Sequence, residues 1–254
     1  MSEYSQFRKF GEGLVVDAGK IVLHERDSLV VVKQKDIQDI ATSADLASEK
    51  HIIARIKEKY PDHSILSEEE GEIAGSSEYR WIVDPLDGTK EFSRGLPFYN
   101  ISIALEHKGE LIAAALCRPE EDVVYSSCRG DGSFRNGERI TPSTTQSLSD
   151  SFVYFYVPSY LRSPKRYDAA FEKIAELGKH VYRLRGLSDE NSGMCWVAQG
   201  GADAYINLSD TPKWHDIATG IMIAKEAGAV VDTEKHPLIV CANKSIYNQL
   251  SEII

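Results

Sequence analysis

Two carboxylates stand three residues apart in Trp81-Ile82-Val83-Asp84-Pro85-Leu86-Asp87-Gly88-Thr89, where an apolar run stops. At about 5 Å in an effective dielectric of about 20, two such charges repel by roughly 3 kcal/mol. Both stay ionised side by side only if a cation or dense hydrogen bonding lies between them. The plain structural reading is a turn: Asp-Pro and Asp-Gly are turn formers, and the segment can cap the next helix. The chemical reading is that Asp84, Asp87 and the Leu86 carbonyl hold Mg²⁺, a hard ion that takes oxygen ligands. The N–H groups of Gly88 and Thr89 would then open a helix and receive a phosphate oxygen.

Two further acidic positions repeat this design. Glu68-Glu69-Glu70 follows the apolar stretch Ser64-Ile65-Leu66, and Asp216 opens the helical stretch HDIATGIMIAKEAG. Each has a bland counterpart, a solvated acidic loop for the first and a helix cap for the second. Together they can build one metal cage. The four cysteines, Cys117, Cys128, Cys195 and Cys241, form no CxxC pair, and the seven histidines form no HExxH spacing. Zinc and redox motifs are therefore disfavoured, and an oxygen-liganded metal is the one to expect.

The length of 254 residues allows one large domain or two modest ones, and 42% hydrophobic with 27% charged residues is a globular composition. Acidic residues outnumber basic ones 39 to 29, and a net charge of −10 argues against a broad nucleic-acid or anionic-membrane surface. No apolar run approaches a membrane span, and the start MSEYSQFRKFGEG lacks a signal-peptide core. A cytoplasmic protein is expected, with no nucleic-acid polymer and no membrane as partner.

The elements that must position these acids are readable in outline. Helices are predicted from about Phe7 to His24 and over ADLASEKHIIARIKEKY. In the second, Leu46, Ile53, Ile56 and Tyr60 recur at helical spacing, Thr42 or Ser43 caps the start, and Pro61 ends it. HSILSEEEG reads as a strand leading into an acidic loop, Trp81 to Asp84 as a strand, and YNISIAL as a strand with two different faces. LIAAALC and DVVYSSC continue the sheet, with tight turns at Asp131-Gly132 and Asn136-Gly137. The second half alternates: a strand near Phe152–Val157, helices near Tyr167–Leu177 and Glu190–Gln199, and the strand ADAYINL. A helix closed by Gly228, short strands VV and LIVCAN, and a final helix complete it. One composite α/β domain spanning 1–254 is expected, its N-terminal α+β half running to about 145 and its C-terminal α/β half from about 146.

HSILSEEEG, WIVDPLDGTKEF, RGDGSFRNGERI, GGADAYI and WHDIATGIMIAKEAGAVV, in this order and spacing, resemble the inositol monophosphatase family of Mg²⁺-dependent, lithium-sensitive phosphatases. The resemblance covers nearly the whole chain. It implies a layered αβαβα sandwich of the inositol monophosphatase/fructose-1,6-bisphosphatase kind, two or three Mg²⁺ ions, a small phosphorylated substrate and a homodimer. Residue by residue, it makes Glu68, Asp84 and the Leu86 carbonyl ligands of one ion, and Asp84, Asp87 and Asp216 ligands of a second. Glu68 and Thr89 would orient the attacking water, Gly88 and Thr89 would receive the phosphate, and Asp87 and Asp216 would also face the substrate. Glu69 and Asp45 would stand behind the ligands, and Lys33 aligns near the phosphate after a one-residue adjustment.

Departures from the family pattern bear on substrate. His215 replaces the usual tryptophan before Asp216 and is read as packing or capping. Ser188-Asp189-Glu190-Asn191 replaces small residues that border the substrate, and Asn207 stands where inositol-specific members carry a glutamate that grips sugar hydroxyls. The sequence TKEF, Thr89–Phe92, is also seen in 3′(2′),5′-bisphosphate nucleotidases, the alternative enzyme reading, with histidinol-phosphate or sugar-bisphosphate phosphatases behind it. Arg162, Lys165, Arg166, Arg183 and Arg185 are either cations for a second phosphate or a solvated basic surface. From another class, the chain could be a catalytically silent metal- and phosphate-binding regulator.

Overall fold

In the computed structural model, residues 3–26, 29–36, 39–186, 189–209, 212–234 and 236–254 are described. Helix α1 (Ser5–Glu25) and helix α2 (Ser43–Lys59) flank an antiparallel pair, β1 (Val31–Asp36) and β2 (Asp39–Thr42), which the sequence reading left unassigned. Thr42 caps α2, and the carboxylate of Asp45 accepts from the Thr42 N–H at 2.8 Å and from its hydroxyl at 2.5 Å. The predicted apolar face of α2 needs correction. Leu46 is 40% exposed, whereas the buried stripe runs through Ala44, Asp45, Ser48, Glu49, Ile52 and Ile56. Half of that stripe is polar, and hydropathy alone points it outward.

Strands β3 (Ser64–Ser67), β4 (Gly71–Ile73), β5 (Tyr79–Asp87), β6 (Asn100–His107), β7 (Glu110–Arg118), β8 (Val123–Cys128), β9 (Gly132–Arg135) and β10 (Glu138–Ile140) form one sheet. Its order is β10-β9-β8-β7-β6-β5-β3-β4, antiparallel throughout except for the β3–β5 pair. The short helix α3 (Thr89–Ser93) lies between β5 and β6. Asn136 and Gly137 both take positive φ, 49° and 81°, as the tight two-residue β9–β10 turn requires. Asp131-Gly132 is not such a turn: Gly132 already begins β9, and residues 129–131 make the connection.

The chain then builds β11 (Phe152–Tyr156), α4 (Pro164–Leu177), β12 (Arg183–Gly186), α5 (Glu190–Ala198), β13 (Ala204–Asn207), α6 (Trp214–Ala227), β14 (Val230–Asp232), β15 (Leu238–Cys241) and α7 (Lys244–Ser251). The second sheet has order β12-β11-β13-β15-β14, with β11 parallel to both neighbours. Helices α1 and α2 cover one face of the first sheet, through Leu14, Val15, Val22, Ile52 and Ile56. Helices α5 and α6 lie between the sheets. Cys195, Ala218 and Met222 pack on the first sheet, and Met194, Ile217 and Ile221 on the second. Helices α4 and α7 cover the outer face of the second sheet through Ile174, Leu177, Ile246 and Leu250. This is the αβαβα layering that the resemblance implies. The middle layer is buried on nearly every side, and its polar residues Glu190, Asn191, Ser192, His215 and Thr219 are buried with it.

Close approach within that layer depends on glycine. A Cβ at Gly193 would stand 2.4 Å from the Tyr205 ring, which is itself fully buried. Gly193→Ala is therefore expected to lower unfolding free energy by about 1–3 kcal/mol, despite a helix-propensity gain of about 1 kcal/mol. Gly13→Ala, in α1 with nothing within 4 Å of the new carbon, is expected to raise it by about 0.5–1 kcal/mol. Urea unfolding of the pair checks the packing. Effects of the same sign would contradict it.

Candidate active site

Strand β5 delivers the first two acids. Its pairing with β6 joins Asp84 to Ser102 and Asp87 to Asn100, so Pro85 and Leu86 together oppose the single residue Ile101. In a regular strand, residues three apart face opposite sides; the extra residue resets the period and turns both carboxylates into one cleft. Proline suits this bulge because it has no N–H to leave unpaired. The Leu86 N–H donates to Oδ1 of Asp84 at 3.1 Å, and Ser48 Oγ on α2 donates to the Pro85 carbonyl at 2.8 Å. Gly88 follows at φ 85°, where a Cβ would meet the Phe98 carbonyl at 2.4 Å, so glycine alone fits the turn into α3.

A cleft of about 130 Å³ is lined by Glu68, Asp84, Leu86, Asp87, Gly88, Thr89, Tyr156, Glu190 and Asp216, with Lys90, Glu91, Arg162 and Lys213 completing its wall. The acids and oxygen donors singled out in the sequence as metal ligands thus come from the turn after β3, from β5 and from α6 to one place. Asn207 does not line it. Its Oδ1 accepts from the Ser209 N–H at 2.9 Å and its hydroxyl at 2.5 Å, and its Nδ2 is buried without a partner among the described residues. His215 is buried, with Nε2 3.2 Å from Oδ1 of Asp216, which fits the packing reading. The Lys33 side chain and Ser188 lie outside the described residues. Of the basic residues, Arg162 reaches the cleft, and Arg166 lines an adjoining cavity of about 290 Å³ with Arg162, Lys90, Lys213 and Glu190. Lys165, Arg183 and Arg185 line neither cavity.

Thr89 Oγ1 lies 2.9 Å from the Leu86 carbonyl and 2.8 Å from Oδ1 of Asp45. A hydroxyl has one proton to give, so these two acceptors share it and the oxygen's lone pairs are left for another donor. Asp45 therefore touches a candidate catalytic hydroxyl directly. Glu49, one turn further along α2, was missed by sequence reasoning. Its carboxylate accepts from the Ser67 hydroxyl and from the N–H groups of Glu69 and Glu70, both at 3.1 Å, and so ties down the loop that presents Glu68. The signal was present as the polar run Asp45, Ser48, Glu49 in register with Ile52 and Ile56.

Burial, and then crowding by neighbouring acids, set the electrostatics. Asp84 is pushed well above the ordinary carboxylate range, first by burial and then by Glu68 and Asp216. Asp87 is raised by burial, then by Asp189, Asp84 and Glu190, and Glu190 by burial, then by Asp216 and Asp189. Asp45 is raised by burial against the opposing pull of its hydrogen bonds from Thr42 and Thr89. Among the described residues no three acids, histidines or cysteines already stand in metal-holding geometry. An all-oxygen donor set, strongly anionic and buried, fits hard divalent cations.

The sequence profile of the inositol monophosphatase family matches residues 3–253. Nus factor SuhB of Haemophilus influenzae is 33% identical over 217 residues, covering 84% of this chain and 80% of that protein. Inositol-1-monophosphatase of Rhizobium meliloti is 32% identical, over 97% of this chain and 92% of its own length. Among solved structures, extragenic suppressor protein suhB of Bartonella henselae superposes with a TM-score of 0.87 over 95% of both chains, at 28% identity.

A raised carboxyl binds its proton more tightly folded than unfolded. In metal-free buffer the stability linked to it is full at acid pH and is lost as pH rises from about 4 through the raised value. Asp84→Asn is expected to flatten that loss and to raise unfolding free energy at pH 7 by roughly 1–3 kcal/mol. Urea unfolding at pH 5 and pH 7 with a chelator measures both. A variant less stable than the parent at pH 7 would show that repulsion is not the governing force here.

Proposed function

The chain belongs to the inositol monophosphatase family of phosphoric monoester hydrolases, and from that premise we propose that it hydrolyses a small phosphate monoester in the Glu68–Asp216 cleft with Mg²⁺. The observation that carries this reading is the convergence of Glu68, Asp84, Leu86, Asp87, Thr89 and Asp216 on one cleft. Glu68, Asp84 and the Leu86 carbonyl would hold one ion, and Asp84, Asp87 and Asp216 a second, within a complement of two or three. Bound there, Mg²⁺ supplies charge neutralisation for the phosphate and acidity for water. The protein's own groups do the positioning. Thr89, with its proton shared between Asp45 and Leu86, accepts from a water, and Glu68 takes that water's other hydrogen bond. Gly88 and Thr89 turn backbone N–H groups toward the phosphate oxygens.

The basic wall favours a second reading for the substrate. Lys90, Arg162, Lys213 and Arg166 border the cleft and its annex, which suits a substrate with another anionic group, such as a bisphosphorylated nucleotide. Relatives named Nus factor SuhB favour a regulatory role as a further alternative, although the complete acid set supports turnover. Pairing into a homodimer belongs to the same proposal, supported by the exposed apolar side chains Leu96, Phe98, Tyr160, Leu161 and Tyr182. No helix among the described residues is long and apolar enough to cross a membrane.

Turnover of inositol 1-phosphate and of a nucleotide 3′,5′-bisphosphate, each with Mg²⁺, Ca²⁺ or Mg²⁺ plus Li⁺, tests the reading. Activity is expected with Mg²⁺, inhibition with Li⁺, and failure with Ca²⁺, whose longer bonds and higher coordination spoil the alignment. Full activity with Ca²⁺ would sink the metal assignment. Inositol 1-phosphate is expected to be hydrolysed without strong preference, because Asn207 is neutral and shorter than the glutamate that grips sugar hydroxyls, and its Oδ1 is engaged by Ser209. Arg162→Ala should raise KM for the bisphosphate about tenfold, the worth of one charge-assisted hydrogen bond, and change the monophosphate less. Equal effects on both substrates would remove the case for a second anionic group.

A further inference from the structure

Behind the cleft wall lies a line of buried polar groups that no step above uses. Asn100 opens β6 opposite Asp87 and is fully buried. Its Nδ2 donates to Oδ2 of Asp87 at 3.0 Å and to Oδ1 of Asp189 at 3.1 Å, while its Oδ1 has no partner among the described residues. With the amide reversed, an oxygen would face both carboxylates, so the nitrogen belongs where it stands.

Asp189 is itself anchored on two sides. Its Oδ1 caps α5 by accepting from the Ser192 N–H at 2.7 Å, and its Oδ2 lies 3.4 Å from Nη1 of Arg118. Arg118 ends β7 and is 1% exposed. Its Nη1 donates to Ser192 Oγ at 2.5 Å, and its Nε donates to Glu121 at 2.9 Å. The guanidinium also lies 5.3 Å from the Trp196 ring. A second buried carboxylate beside Asp87 would repel it if left uncompensated; Arg118 neutralises Asp189 from the far side. The linked groups run Glu121–Arg118–Asp189–Asn100–Asp87, from the surface to the cleft.

We propose that Asn100 is a positioning residue for Asp87. Its amide holds one carboxylate oxygen of Asp87 from behind and leaves the other to meet a divalent cation, while Asp189 and Arg118 fix the orientation of the amide. The proposal rests on the reading of Asp87 as a metal ligand. A carboxylate without this support rotates freely and faces Asp189 across an empty space. Groups that orient metal ligands in this way typically contribute 10–100-fold in metal affinity.

Calorimetric titration of the whole chain with Mn²⁺, alongside thermal unfolding in chelator, separates positioning from plain structural support. Asn100→Ala is expected to weaken Mn²⁺ binding about tenfold or more while unfolding remains cooperative. Asn100→Ser keeps one donor, should fall between, and carries the test if the alanine variant does not fold. In an Asp87→Asn background the Asn100 substitution should have little further effect on binding, because its target is gone. Parent-like Mn²⁺ affinity in a folded Asn100 variant, with Asp87→Asn weakened, would overturn the positioning role alone. Parent-like affinity in Asp87→Asn would overturn the metal-ligand reading and the positioning role together.

Discussion

Mutual repulsion among Glu68, Asp84, Asp87, Glu190 and Asp216 is the condition under which the rest of the molecule is built. Hydrogen bonding relieves it only in part: Asp84 takes the Leu86 N–H and Asp87 takes the Asn100 amide, leaving oxygens over in each case. Protein cations are kept to the edges. Lys90, Arg162 and Lys213 stand in the outer wall, and Arg118 serves Asp189 rather than the cleft acids. The oxygens left over on Asp84 and Asp87 are donors available to ions from solution.

The layers exist to hold that arrangement. Strand β5 is buried along nearly its whole length and cannot shift without disturbing both faces of the first sheet, so the Asp84–Asp87 bulge has a fixed base. The α2 face carrying Asp45, Ser48 and Glu49 grips the bulge and the Glu68 loop from one side. Helix α6 brings Asp216 from the other, its remaining faces packed against both sheets.

What could be read in the sequence was local. Asp84, Asp87, Gly88 and Thr89 are visible because the turn dipeptides, the apolar run and the acids are neighbours in the chain. The polar face of α2 was not, because its acids occupy positions that hydropathy assigns to solvent; only the partners Thr89, Pro85 and the Glu69–Glu70 backbone make them buried. Asn100 and Arg118 escaped for the same reason. Their partner Asp189 lies 89 and 71 residues away. Asn207 was placed at the substrate by resemblance, and an asparagine two residues before a serine instead closes a local turn on itself. Strand β12 had no readable pattern, since its residues are exposed or half-buried at the sheet edge.

The two walls of the cleft belong to different classes of stability. Asp216 sits in the first turn of α6, and the residues that follow it, Ile217, Ala218, Ile221 and Met222, pack against both sheets, so opening α6 beyond its first turn means separating the central layer. Glu68 sits in the turn between β3 and β4, held by the Ser67–Gly71 strand pairing and by hydrogen bonds to the Glu49 carboxylate, and so belongs to the edge of the first sheet. Amide hydrogen exchange would see this as a slow jaw facing a fast one. One wall of the cleft is anchored in the central layer and the other at a sheet edge.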